Sequence, residues 1–158
     1  MSSIETRKGQ KILVDADDYE TLSRVTWTID AKGYAMRKHR DDAGKWKTQY
    51  MHRFVMGLST GQVGMVDHIN GDKTDNRKSN LRVCSNSENL RNRGAQRNNT
   101  SGFKGVTFHK AANKWTASIT ANGSNNYLGL FKTPEEAHSA YCEAARAMHG
   151  EFANGGKQ

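Results

Sequence analysis

The sequence predicts an α+β protein made of two small modules, each with antiparallel strands beside a helix. Three stretches carry that reading. KWTASITA alternates, with Trp115, Ala117, Ile119 and Ala121 on one face and Thr116, Ser118 and Thr120 on the other. TPEEAHSAYCEAARAMHG reads as a capped helix. VDHINGDKTDNRKSNLRVCSNSENLRNR, residues 66–93, reads as strand, long polar loop, strand and helix.

Along the chain, ILVDADDYETLSRV fits a short strand followed by a helical turn. WTIDAKGYAMRKHR and KWKTQYMHRFVMG are rich in aromatic and branched residues, and the DDAG turn signal between them predicts a hairpin. His52–Met56 fits the start of a short helix as well as a strand end, and periodicity does not decide. NRGAQRNNTSG is polar and lacks large apolar residues, so residues 94–101 read as a basic linker, with Arg91, Arg93 and Arg97 placed to lie along a phosphate backbone or simply to be solvated. FKGVTFH, KWTASITA and NYLGLF then supply three strands. In the last helix Thr133 is the N-cap, Pro134 is N1 and Glu136 completes a capping box. Ala137, Ala140, Tyr141, Ala144, Ala145 and Met148 make its apolar stripe, and Gly150 its stop. The expected product is a three-stranded antiparallel sheet with one helix packed on its Trp115–Ile119 face.

The 158 residues have room for one ordinary domain or two very small ones. An apolar content of 35% and a mean hydropathy of -0.86 allow a modest core and exclude a large enzyme interior. Lys and Arg number 24 against 16 Asp and Glu, so the net charge is +8 and an acidic partner, nucleic acid foremost, is expected. No stretch approaches the ~20 apolar residues of a membrane span, and the polar first ten residues do not read as a secretory signal. Cys84 and Cys142 form no ligand-spaced pair, so neither a zinc knuckle nor disulfide stapling is expected, and a cytoplasmic setting is. No heptad run advertises a dimer, so a monomer is expected.

Two surfaces carry candidate chemistry. The hydroxyl face of the C-terminal sheet, Thr116, Ser118 and Thr120 with Thr107 and His109 beside them, is rimmed by Lys104, Lys110 and Lys114 and suits a DNA groove. An ordinary solvent face is the plainer alternative. In residues 66–93, Asp67 and Asn89 supply hard oxygen ligands suited to Mg²⁺ or Mn²⁺, with substrate phosphate and water completing the shell. His68, with an ordinary pKa of about 6.5, can take a proton from water. Asp67 falls on the opposite face of a strand from His68, so Asn80 is the candidate that orients the ring. Asn70, Asn76 and Asn80 also read as plain Asx turns.

MHRFVMG, DHINGDKTDNRKSNLR and SNSENLRNR together resemble the HNH endonuclease family, in the variant common among phage and intron-encoded homing endonucleases. GFKGVTFH through KWTASI, YLGLFKTPEEAHSAY and HGEFAN resembles the AP2 DNA-binding domain. The resemblance implies a ββα-metal nuclease module over residues 51–93, after a small mixed N-terminal region at 1–50, and an AP2-like domain over 102–154. It places metal ligands at Asp67 and Asn89, the general base at His68 and its orienting residue at Asn80, a set similar to the homing nickases. His52 matches a family histidine that binds phosphate or packs, and Arg82 receives no definite role. The implied activity is metal-dependent nicking of double-stranded DNA by a monomer. The alternative is a DNA-binding regulator that keeps the scaffold without cutting.

Overall fold

The first strand of this computed structural model, which describes residues 2–59, 62–96 and 98–156, falls where the sequence looked merely polar. Ser2–Glu5 (β1) pairs antiparallel with Lys11–Val14 (β2) and buries Ile4 beside Ile12 and Val14. The alternating KILV of β2 explains its half, whereas β1 has one apolar residue and depends on its partner. Ala16–Ser23 (α1) follows, as ILVDADDYETLSRV predicts. Thr28–Ile29 (β3), Ala35–Arg40 (β4) and Trp46–Tyr50 (β5) form an antiparallel sheet in that order. The DDAG turn closes the β4–β5 hairpin, with the Asp41 N–H donating to Lys45 O at 2.9 Å. Met51–Val55 (α2) resolves the open choice at His52 in favour of a helix.

Ile4, Ile12, Val14, Leu22, Trp27, Ala35 and Met51 make one core, in which Trp27 Nε1 donates to Leu22 O at 2.9 Å. Met65–His68 (β6) and Leu81–Cys84 (β7) pair antiparallel. The loop between them is stitched to β2: the Leu13 N–H donates to Thr74 O at 2.9 Å and the Asn76 N–H to Leu13 O at 2.8 Å. Residues 1–86 therefore make one compact unit, and the remainder, from Ser87, makes a second. Asn86–Asn92 (α3) starts at that division.

In the second unit Val106–His109 (β8), Lys114–Ala121 (β9) and Ser124–Phe131 (β10) form an antiparallel sheet with β9 at its centre. Pro134–His149 (α4) has the expected capping box, with Thr133 Oγ1 accepting from the Glu136 N–H at 3.2 Å. Its Ala137, Tyr141 and Ala145 pack on Val106, Ala117 and Ile119, so the alternation of β9 is realised as read. Met148 departs from the expected stripe and is 44% exposed, while its neighbour His149 takes the buried place in the last helical turn. The whole is α+β with antiparallel sheets. Among the described residues no helix is long and apolar enough to cross a membrane.

Gly105 is where α4 meets the backbone most closely. Its φ is +73°, and a Cβ there would collide with the Tyr141 ring and stand 2.8 Å from Ser118 O. Gly123 has a similar φ of +78° but nothing near it. Gly123→Ala should therefore cost only the left-handed backbone penalty of roughly 1–3 kcal/mol. Gly105→Ala should cost more than that, because overpacking adds about 1–3 kcal/mol. Urea unfolding of the two variants side by side checks the ordering.

Candidate active site

The short β6 strand presents two adjacent polar residues to opposite faces, and both are buried. Asp67 lies across from Arg82 in the β6–β7 register. Arg82 Nε and Nη2 donate to Asp67 Oδ2 at 3.2 and 3.0 Å. The two side chains are 8% and 11% exposed, so this is a sheltered ion pair. Removing one partner of such a pair leaves a buried charge and costs on the order of 3–5 kcal/mol. Arg82, which had no definite role from sequence, thus holds the candidate metal ligand.

His68 turns the other way, into a cluster of rings. Its centroid lies 5.2 Å from His52 and 6.0 Å from Tyr34. His52 in turn lies 5.6 Å from Tyr50. The β5-to-α2 junction places Tyr50 and His52, and Lys73 Nζ sits 4.5 Å above the Tyr34 ring. His52 is therefore packed against the rings of His68 and Tyr34. Burial, the proton-repelling His68 and Arg53 push the His52 pKa down to about 3, with Asp30 opposing. Burial also lowers the pKa of His68, opposed by the Asn76 side chain and by Asp67, Asp72 and Asp75. A neutral imidazole at neutral pH is the form that accepts a proton.

Asn80 is placed differently from the expectation. It ends a 3-10 turn, Lys78–Asn80, just before β7. Its Oδ1 accepts from the Asn70 N–H at 3.0 Å and its Nδ2 donates to Asp75 O at 2.8 Å. The amide thus closes the loop that leaves His68, and the Asn76 side chain is among the groups that favour the protonated ring. Asp75 and Asn76 are 2% and 0% exposed. Asp75 receives both Arg77 Nε, at 2.7 Å, and Arg77 Nη2, at 2.6 Å. Sequence reasoning missed Asp75 and saw Asn76 only as a turn residue. The Asp-Asn-Arg triplet gives no local sign of burial, which comes from β2.

The bonds from Arg82 Nε and Nη2 fall on Oδ2 of Asp67, leaving Oδ1 as a hard oxygen donor. That donor fits Mg²⁺ or Mn²⁺. Among the described residues no three His, Cys, Asp or Glu side chains converge to hold a metal by themselves. Asn89 is half-buried on α3, in the second unit.

The candidate DNA-contact residues divide. Thr107, His109, Lys110, Lys114 and Thr120 are exposed, and Thr116 and Ser118 are half-buried. Register puts Thr107 opposite Thr116 and His109 opposite Lys114. It also adds Asn125 and Tyr127, opposite Thr120 and Ser118, which sequence reasoning did not include. His109 also accepts from the Ala112 N–H through Nδ1 at 3.1 Å. Arg93 is exposed and Arg91 half-buried, while Arg97 lies outside the described residues.

Lys104 corrects the expectation of a phosphate contact. Its ammonium donates to Arg91 O and Arg93 O, both at 2.6 Å, and to Asn154 O at 3.1 Å. Burial lowers its pKa. It caps the carbonyl-rich end of α3 instead of facing solvent.

An HNH endonuclease family model matches residues 49–91, and an AP2 domain model matches residues 101–151. An uncharacterized HNH endonuclease of Acanthamoeba polyphaga mimivirus is 31% identical over 150 residues, covering 92% of this chain and 74% of that protein. Protein 3.8 of Escherichia phage T7 is 32% identical over 88 residues, covering 56% of this chain and 72% of its own length. The chain belongs to the HNH endonuclease family. Its C-terminal part is an AP2-type domain, for which dehydration-responsive element-binding protein 2A of Arabidopsis thaliana is 41% identical over 66 residues, 40% of this chain and 19% of that one. No solved structure matches the chain.

The buried histidines have a consequence for stability. His52 ordinarily titrates near 6.5 when unfolded and near 3 when folded. Between those values the unfolded chain binds the extra proton, so stability is full above about pH 6.5 and declines as the pH falls toward 3. The expected loss from this residue is on the order of a few kcal/mol at most. Thermal unfolding followed from pH 7 to pH 4 should show the decline, and His52→Phe should flatten it.

Proposed function

We propose that the protein is a metal-dependent, site-specific DNA endonuclease that hydrolyses one phosphodiester bond of a duplex, in the manner of the homing nickases. The observation that carries this is the pair on β6: a sheltered carboxylate with a donor oxygen to spare, next to a histidine kept neutral by burial. The family membership supports the nuclease class. In this reading β6, β7 and α3 are the parts of a ββα-metal module.

Asp67 Oδ1 and the Asn89 amide oxygen would hold Mg²⁺ or Mn²⁺, together with phosphate oxygens and water. The ion supplies charge stabilisation at the phosphate and the leaving 3′ oxygen. His68 accepts the proton of the attacking water at a ring nitrogen, and the products are a 5′ phosphate and a 3′ hydroxyl. Arg82 keeps the Asp67 carboxylate oriented. Asn80 and Asp75 fix the loop on which the orientation of His68 depends. His52 and Tyr34 confine the ring from the side. Recognition falls to the exposed face of the β8–β9–β10 sheet, with Thr107, Thr116, Ser118 and Thr120 toward the groove and Lys110 and Lys114 toward phosphates. Arg91, Arg93 and Arg97 track the backbone beside it. The protein works as a monomer in the cytoplasm of a bacterial or phage-infected cell.

Cleavage of the source genome, with mapping of both strands' ends, tests the reading. His68→Ala should lose about 10²–10⁴-fold in rate, the usual worth of a general base. Asp67→Ala should abolish cleavage while DNA affinity stays largely intact, since affinity comes mainly from neutralised phosphates. Cleavage undiminished in EDTA, or tight binding with no cleavage of the bound site, would favour the non-cutting regulator.

Strand polarity sets a further expectation. One chain carries one candidate site, and the two strands of a duplex run in opposite directions. End-labelling each strand separately should show a single nicked strand, and light scattering with bound DNA should give one protein per duplex. Matched cuts on both strands by a two-fold complex would overturn the monomer.

A further inference from the structure

The excess positive charge of the first sixty residues sits on one element. Residues 1–60 carry 11 basic and 8 acidic side chains, and residues 35–50 account for five of the former and two of the latter. The six of each sign that remain cancel. The β4–β5 hairpin therefore holds the whole surplus of this segment.

Register sorts those cations by face. Ala35 is wholly buried in the core, and Arg37 lies on its side of the sheet. The Arg37 guanidinium rests 5.6 Å from the centre of the Trp27 ring, and Nε donates to Gln49 at 2.7 Å. Met36, Lys38 and Arg40, with their cross-strand partners Tyr50, Thr48 and Trp46, take the outward face. Lys38 and Arg40 are exposed there, and Lys45 is exposed in the turn. Among the described residues neither Lys38 nor Lys45 has an ion-pair partner, and Lys47 reaches Asp41 only at 3.7 Å.

An aromatic ring marks the same end of the hairpin. Trp46 is 64% exposed, with the Arg40 guanidinium 5.0 Å from its ring centre. A large ring left in water costs hydrophobic free energy that a threonine at the same place would avoid. Stacked under an arginine, it forms a flat, cationic, partly apolar surface of the kind that meets sugar and phosphate. Beyond Met36, where the pairing with β3 ends, β4 and β5 run on as a two-stranded ribbon, a width that a DNA major groove admits. At its other end the outward row reaches Tyr50, 5.6 Å from His52, which is 5.2 Å from His68.

We propose that the outward face of the β4–β5 hairpin is a duplex-DNA contact of the nuclease unit itself, separate from the sheet of the AP2-type domain. Lys38 and Lys45 neutralise phosphates, and the Arg40–Trp46 pair packs against the backbone. Such contacts position the duplex without reading its sequence. Here they hold the strand on a line that ends at His68. The inference rests on the reading of DNA as partner made above.

The test is binding of the full chain to a random-sequence duplex longer than the protein, by fluorescence anisotropy over a range of salt. Lys38→Gln combined with Lys45→Gln should reduce the slope of log affinity against log salt by about 1.8, since each neutralised phosphate adds about 0.9 to it. Both side chains are exposed, so circular dichroism should be unchanged. The duplex should also quench tryptophan emission in wild type, and Trp46→Phe should remove most of that quench. A double variant with wild-type slope, or a quench retained without Trp46, overturns the hairpin contact while DNA binding itself stands. No binding of any duplex by the wild-type chain would remove the DNA reading and this contact together.

Discussion

One amide holds the candidate site in place. The side chain of Asn80 accepts from the Asn70 backbone and donates to the Asp75 backbone, so it closes the loop that separates β6 from β7. A loop that long would otherwise leave its backbone groups competing with the strands for partners. With the loop closed, β6 and β7 meet in register, Asp67 faces Arg82, and His68 turns toward His52 and Tyr34. The bond is local in space, yet it decides which face of β6 each polar side chain takes. A one-residue slip would exchange the two.

The same loop joins the N-terminal region to the site. Lys78 N donates to Asp15 at 2.7 Å, and Lys78 Nζ donates to Asp18 at 2.9 Å. The Asn76 N–H reaches Leu13 in β2. The core around Trp27 therefore supports the chemistry from below, and α2 carries His52 from that core to the His68 ring. Burial of the two imidazoles follows from this arrangement, and burial is the chief reason both favour the neutral form.

The lysines show how tertiary structure redistributes charge that looks uniform in the sequence. Lys104, Lys110 and Lys114 flank the same sheet in the chain, but Lys104 is spent on three carbonyls. An ammonium withdrawn from water needs that many partners, or its charge is costly. Arg53 is used in the same way, with Nη1 on Gly64 O at 2.6 Å and Nη2 on Gln62 O at 2.8 Å. Lys38, Arg40 and Lys45 of the β4–β5 hairpin stay exposed, as do Lys110 and Lys114 beside the C-terminal sheet. A count of basic residues overstates the groups free to meet phosphate.

Local pattern alone determined a good deal. Period-two alternation specified β9, the Thr133–Glu136 capping box specified α4, and the DDAG turn specified the β4–β5 hairpin, because each depends on neighbours a few residues apart. The Asp67–His68 pair was legible for the same reason: adjacent residues on a strand must face opposite ways. β1 was not legible, since its single isoleucine becomes core only against β2. Nor was the burial of Asp75 and Asn76, which depends on a strand some sixty residues earlier in the chain. The partners of Lys104 include Asn154, fifty residues later. Sequence by itself determined which elements form and which polar residues stand ready for chemistry. Only the tertiary structure decided which of those groups are buried, paired or free, because desolvation and hydrogen bonding act between residues that the chain keeps far apart.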